Sequence, residues 1–314
     1  MDLLDILKSG PLSEINITKR FDPNQLRDER GRWAREGGGV DPILAKNERR
    51  AQLTEREDLL KERILGENPE RHDRQRAYVD EAQAHLNTLT KTARVNIRIR
   101  NAATLEAILD DGRFKSQFET NTSTGYFGPG LRADVESRLF NIPNNVDHEP
   151  ENRPIYGYLL DENPSAQHAQ ESASSYGQIR IVLKKTVNAR TTFTGGDSLN
   201  VEGSVPEYLP SAVNQPSIAS MMSGLTVLHP RRGFPEHQRM NHEYGMRQLD
   251  NVRSATKIEQ IAGVYAYIEA QIHGGVRVSD IAEVHFPERM AQDKPRTLDR
   301  LKEMGIRVVI DKQI

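Results

Sequence analysis

Three stretches of this chain alternate apolar and polar side chains with a period of two, and they dictate what it can fold into. In Val95-Asn96-Ile97-Arg98-Ile99-Arg100 the aliphatic residues face one way and the polar ones the other. Residues 179–184 repeat the pattern, with Ile179, Ile181 and Leu183 set against Arg180, Val182 and Lys184. Residues 264–272 repeat it again, with Val264, Ala266, Ile268, Ala270 and Ile272 on one side. An extended chain points successive side chains to opposite faces, so each run is a strand with one face on a core. Helices are expected at 104–111, with Leu105, Ile108 and Leu109 inward and Gly112 as the stop, at 164–174, at 248–261, and at 298–304 before Gly305. Further strands are expected at 280–286 and 306–310, with a strand or extended segment at 114–119, an ordered stretch at 155–161, a polar turn at 191–198 and a long loop at 200–235 holding a short helix at 217–222. Short strands mixed with short helices place the chain in the α+β class.

Polarity is uneven along the 314 residues, and this sets the domain boundaries. Residues 1–40 carry little apolar surface and end in Gly37-Gly38-Gly39, which reads as a flexible segment with a hinge. Residues 41–92 read as a helical extension of two helices parted at Asn68-Pro69. In the second helix Val79, Ala82, Leu86 and Leu89 form a narrow apolar stripe, suited to the following domain or to a coiled-coil partner. The globular domain is expected over 93–314.

Composition excludes several classes. There is no cysteine, so disulfides, thiolate catalysis and Cys-ligated zinc are out. The 43 basic and 45 acidic residues leave a net charge of −2, which argues against a broad nucleic-acid surface. No apolar run reaches the length of a membrane span, and Met1-Asp2-Leu3-Leu4 lacks the basic start of a signal peptide. His237 and His242 beside Glu243 lack the helical spacing of a zinc site, and Ser198 after Gly195-Gly196-Asp197 is no nucleophile elbow. Gly125, Gly128 and Gly130 lack the Gly-Lys-Ser/Thr of a phosphate loop.

The polar side of the 264–272 run is unusual. It carries Tyr265, Tyr267, Glu269 and Gln271, followed by His273, which suits the lining of a polar cleft. Taken alone, a solvent-facing edge strand explains these residues at least as well. The order of elements adds to the reading. Glu269-Ala270-Gln271-Ile272-His273-Gly274-Gly275-Val276-Arg277-Val278 resembles the C-terminal signature of the ADP-ribosyltransferase fold, in which a catalytic Glu opens a strand that ends in a glycine turn. Residues 96–100 and the helix ending at 108–114 resemble that family's first strand, helix and turn. Residues 156–161 resemble its middle block.

The resemblance, over about residues 93–290, implies a split mixed sheet with flanking helices and a mono-ADP-ribosyltransferase that uses NAD as co-substrate without a metal. It implies Glu269 as catalytic carboxylate and Tyr267, two residues earlier, as a residue setting acceptor preference. It implies Arg98, with Arg100 as the other candidate, as the residue gripping NAD. Phe114, Gln117, Thr120, Ser123, Tyr156, Gly157, Tyr158 and Thr192 are implied as NAD contacts. A plain Ser-Thr-Ser triplet is missing, and Thr122-Ser123-Thr124 and Thr191-Thr192 are imperfect substitutes. Segments 116–120, 153–157 and 269–274 look closest to effectors that ADP-ribosylate ubiquitin on threonine. The expected partners are therefore a protein acceptor, ubiquitin or another host protein, with no nucleic acid and no membrane. The stretch from Phe21 to Trp33 resembles an element of phage head-associated proteins, which implies a phage-carried, secreted or cytoplasmic protein. A non-catalytic head-associated protein and an NAD glycohydrolase are the alternatives.

The chemistry fits the residue types. A guanidinium holds phosphate oxygens through paired, charge-assisted hydrogen bonds. A tyrosine ring can stack on nicotinamide. A carboxylate stabilises the ribosyl cation left when nicotinamide departs, as carboxylates do in glycosidases.

Overall fold

The computed structural model describes residues 69–311 apart from 123–127, 141, 148, 166, 168, 170–171, 200–217, 219–245, 248 and 266. The N-terminal segment, the first helix of the extension, the Phe21–Trp33 element, Ser123, His237, His242, Glu243 and nearly all of the 200–235 loop lie outside these residues.

Helix α1 (Pro69–Leu89) leads into β1 (Ala93–Ile99). Val79, Ala82, Leu86 and Leu89 are all buried in the main core with Val95, Ile97 and Ile99, so the stripe packs on the domain that follows. Helix α2 (Ala102–Asp111) is capped by the Asn101 side chain, which accepts the Thr104 N–H, and ends at Gly112. Then come α3 (Gln117–Thr120), α4 (Pro129–Phe140), β2 (Ile155–Asp161), β3 (Ile179–Leu183) and β4 (Thr191–Gly195). The C-terminal part holds α5 (Ile258–Tyr265), β5 (Ile268–Ile272), β6 (Ile281–Pro287), α6 (Glu288–Gln292), α7 (Pro295–Glu303) and β7 (Arg307–Asp311).

The seven strands form one mixed sheet in the order β4-β5-β2-β1-β3-β6-β7. Every pair is antiparallel except β6 and β7, which α6 and α7 connect as a parallel crossover. The sheet forks at its centre. β1 pairs with β2 only from Ala93 to Asn96, while Ile97–Ile99 pair with β3 and Ile155–Gly157 pair with β5. The α+β class with a split mixed sheet and flanking helices, expected from the sequence, is the one the chain adopts.

Gly157 sits at the fork for a steric reason. A Cβ there would lie 2.4 Å from the Asn96 carbonyl oxygen and 3.3 Å from Val95 and Ile97. The obstacle is backbone, which cannot swing aside, so Gly157→Ala is expected to destabilise the fold by about 1–3 kcal/mol, measured by urea unfolding. An unchanged midpoint would show that the two strands separate freely.

Four local expectations are corrected. Residues 114–119 are not a strand: Ser116 accepts the Glu119 N–H while the Glu119 carboxylate accepts the Ser116 N–H, a capping box that turns the chain into α3. Residues 191–195 are strand β4, and the polar turn begins only after Gly195. The strand expected over 264–272 begins at Ile268, because the apolar spacing of α5 continues to Tyr265. The helix expected over 248–261 is likewise broken at 255–257.

Candidate active site

Directly opposed residues on paired strands share a face, so the register places the polar side chains together. Thr194 faces Glu269, Glu269 faces Tyr158, and Tyr158 faces Asn96. One step along, Thr192 faces Gln271 and Gln271 faces Tyr156. The opposite face carries Val95, Ile97, Leu159, Phe193, Ile268, Ala270 and Ile272. The polar cluster is therefore a product of the alternation that builds the core.

Glu269 lies at its centre and is only 4% exposed. Its Oε1 accepts from the Ser198 hydroxyl and from Gln271 Nε2 at 2.9 Å, and its Oε2 from the Ser198 N–H at 3.4 Å. Gln271 Nε2 also donates to Thr194 Oγ1 at 2.8 Å, and Gln271 Oε1 accepts from Thr192 Oγ1 at 3.0 Å. Thr192 has one hydroxyl proton, and Gln271 takes it, so the 3.0 Å contact between Thr192 Oγ1 and His273 Nε2 has the imidazole as donor. Burial pushes the Glu269 pKa up to about 7 against the pull of Arg132, with Asp197 adding to the rise and the Ser198 and Gln271 hydrogen bonds opposing it.

Helix α4 covers this part of the sheet. Val135, Leu139 and Phe140 pack with Ile142 and Leu199, and the Phe140 ring meets His273 edge-on at 4.9 Å. That orientation turns Arg132 and Glu136, four residues apart and on one helical face, toward the polar cluster. Arg132 Nη1 donates to Ser198 Oγ at 3.1 Å, and its guanidinium lies 4.1 Å from the Tyr156 ring centroid. Its Nε is buried without a hydrogen-bond partner among the described residues. Burial opposes the Arg132 charge, yet Tyr156, Glu269, Asp197 and Glu136 hold its pKa above the ordinary arginine value. Behind it, Glu136 accepts from Arg153 Nη1 at 2.8 Å and from the Tyr156 hydroxyl at 2.9 Å. Burial raises the Glu136 pKa against the pull of Arg153.

The segments after β4 and before β5 are tied by the Gly196 N–H on the Tyr267 carbonyl at 3.0 Å. Asp197 Oδ1 accepts the Leu199 N–H at 2.8 Å, and Oδ2 accepts from the Tyr176 hydroxyl at 2.9 Å. The Tyr176 and Tyr267 hydroxyls are 2.8 Å apart. Beyond the strand, Gly274 and Gly275 make the turn in left-handed conformations, with φ of 77° and 76°.

The structure brings together Glu269, Tyr267, Tyr156, Tyr158 and Thr192. The other expected residues have the following surroundings. The Arg98 guanidinium donates to the carbonyls of Ser172, Gly177 and Ala169 at 2.8, 3.1 and 2.6 Å, which ties those residues to β1, and its charge also acts on Tyr158. Arg100 and Thr120 are exposed, and the Thr120 hydroxyl bonds the Ser116 carbonyl. Phe114 is buried in the main core. Gln117 is half-buried on α3, and Gly157 stands at the fork. Arg132, Glu136, Arg153, Tyr176 and Asp197 were not among the expected site residues, and Ser198 was weighed only as a nucleophile and set aside. The i, i+4 spacing of Arg132 and Glu136 after Pro129 is the signal that would have found two of them.

Among the described residues no three metal-ligating side chains gather, and no helix is long and apolar enough to cross a membrane.

Residues 94–304 match the family described as "Protein of unknown function (DUF3626)". The chain is 27% identical over 290 residues to the Gene 2 protein of Mycobacterium phage L5, covering 90% of this chain and 97% of that protein. It is 26% identical over 245 residues to the Gene 2 protein of Mycobacterium phage D29, covering 76% and 80%. Among solved structures it is similar to Thermus sp. 2.9 DarT in complex with ADP-ribosylated single-stranded DNA, at 12% identity and a TM-score of 0.36 over 70% of this chain and 93% of that one. It is also similar to the same protein in complex with NAD+, at 13% identity and a TM-score of 0.33 over 70% and 94%.

The partner expectation is corrected by these findings. The expectation of a protein acceptor with nucleic acid excluded is overturned by the similar DarT structure, which is in complex with ADP-ribosylated single-stranded DNA. The exclusion rested on net charge, which sums over the chain and does not report how charge is distributed on any one face.

Proposed function

The chain belongs to the DUF3626 family of proteins of unknown function, and from its buried carboxylate cluster we propose that it cleaves the nicotinamide–ribose bond of NAD and transfers the ADP-ribosyl group. The observation that carries this is Glu269, held by Ser198 and Gln271 beside the guanidinium of Arg132. The three segments that resemble the ADP-ribosyltransferase family also stand on adjacent strands, with Asn96 facing Tyr158 and Tyr158 facing Glu269.

Nicotinamide is a neutral leaving group, so its departure leaves positive charge on the ribosyl carbon. A carboxylate in a site with little water stabilises that charge far better than one in solution. Glu269 needs no rearrangement to do so, because Ser198 and Gln271 already fix both its oxygens. Ionisation is required, so activity is expected to rise as pH increases through about 7, the value to which burial pushes this carboxyl. NAD is also a dianionic pyrophosphate, and Arg132 has the unpartnered buried Nε to meet a phosphate oxygen. This gives Arg132 the gripping role that the resemblance implied for Arg98, whose Nε, Nη1 and Nη2 each donate to a main-chain carbonyl.

The test uses NAD labelled in the nicotinamide ring. Time-dependent release of free nicotinamide by the purified chain is expected, with no metal added. Intact NAD after prolonged incubation at pH 8 overturns the reading.

A further inference from the structure

A pair of hydrogen-bonded tyrosines ending on a carboxylate stands next to Glu269, and the chemistry of Glu269 does not use it. Each phenol carries one proton, which fixes the direction of the chain. Tyr176 gives its proton to Asp197 Oδ2 at 2.9 Å. The 2.8 Å contact between the two hydroxyls must then be Tyr267 donating to Tyr176. The Tyr267 oxygen is left with lone pairs alone, and it has no further hydrogen-bond partner among the described residues. It is set to accept a proton from a third group.

Position points to what that group is. Tyr267 lies two residues before Glu269 and immediately ahead of β5, held there by the Gly196 N–H on its carbonyl. Its ring packs with Tyr158, Leu160, Ala173 and Tyr176, meeting the Tyr176 ring edge-on at 5.9 Å. Arg98 fastens the turn that carries Tyr176. Glu269, by contrast, already accepts hydrogen bonds on both oxygens.

We propose that Tyr267, Tyr176 and Asp197 form a proton path leading away from the nucleophile, so that the attacking group is deprotonated along this chain while Glu269 remains an anion facing the ribosyl cation. The proposal rests on the reading of the cleft as a site of ADP-ribosyl transfer. The bond from the ribosyl carbon to nicotinamide nitrogen breaks, and nicotinamide keeps the electron pair. The nucleophile X–H forms the new bond to that carbon with a lone pair and passes its proton to the Tyr267 oxygen. The Tyr267 proton moves to Tyr176, the Tyr176 proton moves to Asp197, and Asp197 later releases it to water. No phenolate accumulates. Burial keeps the Tyr267 pKa well above its ordinary value, with Glu269 and Asp197 adding to the rise, and burial likewise pushes Tyr176 up to about 12. The carboxylate at the end of the chain is the base that takes the proton.

Water is the probe nucleophile, and nicotinamide release from NAD is the readout. Tyr176→Phe keeps the ring packing and breaks the chain, and Asp197→Asn keeps an acceptor for Tyr176 and removes the base. Each is expected to lower kcat by about a hundredfold, a usual contribution of general base catalysis, with KM for NAD unchanged. The double variant should be no slower than either single one, because links of one chain are not additive. Formate should restore part of the rate to Asp197→Ala and none to Tyr176→Phe. An active wild-type chain with full kcat in Tyr176→Phe overturns the path and leaves the reading of the cleft intact. A wild-type chain that leaves NAD whole overturns both.

Discussion

Glu269→Gln is expected to lower nicotinamide release by two orders of magnitude or more while NAD affinity changes little. The amide keeps the size of the side chain and removes the charge that opposes the ribosyl cation, so the loss falls on the transition state. Stability should move the other way. Folding raises the Glu269 pKa from 4.5 to about 7, so between those values the native chain holds more protons than the unfolded one. Stability due to this group therefore falls as pH rises from about 4.5 to about 7, and the loss is complete above that. Glutamine has no such slope, and the variant should melt at or above the wild-type temperature at pH 8. Parallel kinetics and melts check both halves. Full turnover in Glu269→Gln removes the catalytic assignment. A large drop in melting temperature would mean that the charge itself supports the fold.

Arg153→Met is expected to destabilise the protein by about 3–5 kcal/mol, because it leaves Glu136 buried without its cation. Arg153 is 1% and Glu136 0% exposed on their side chains. Arg153 also reaches the carbonyls of Pro143 and Asn145, and its guanidinium lies 4.5 Å from the Phe118 ring centroid. It joins α3, α4 and the start of β2. Replacing both partners, with Arg153→Met and Glu136→Leu together, should recover much of the loss, since no unpaired charge remains. Denaturant midpoints of the two single variants and the double variant check this. A double variant as unstable as the sum of the singles would place the energy in the packing around Phe118.

The parts of the fold that were legible are those in which burial follows a simple period. β1 and β3 alternate because one face packs on the core, and the α1 stripe recurs at helical spacing for the same reason. β4 escaped because Thr191, Thr192 and Thr194 are all buried, so no polar face marks the period. Its threonines and Phe193 favour strand, which was the surviving signal. α3 escaped although Ser116 and Glu119 stand at capping-box spacing. Of the polar cluster, Glu269 and Tyr267 were legible, because they share β5 and its approach. Arg132, Arg153, Asp197 and Tyr176 were not, because these reach the cluster from other elements through contacts that leave no period behind.

The alternation along β5 also decides what kinds of change this protein can absorb. Ile268, Ala270 and Ile272 fill the core while Glu269 and Gln271 fill the polar cluster, and strands pair along both edges. Replacement in place can silence the carboxylate and leave the sheet standing. Gain or loss of one residue inside the strand cannot, because it would drive Glu269 and Gln271 into the hydrophobic layer and aliphatic side chains among the buried polar groups. The buried polar cluster can be altered here by a single substitution, but it cannot be moved along the chain without dismantling the core.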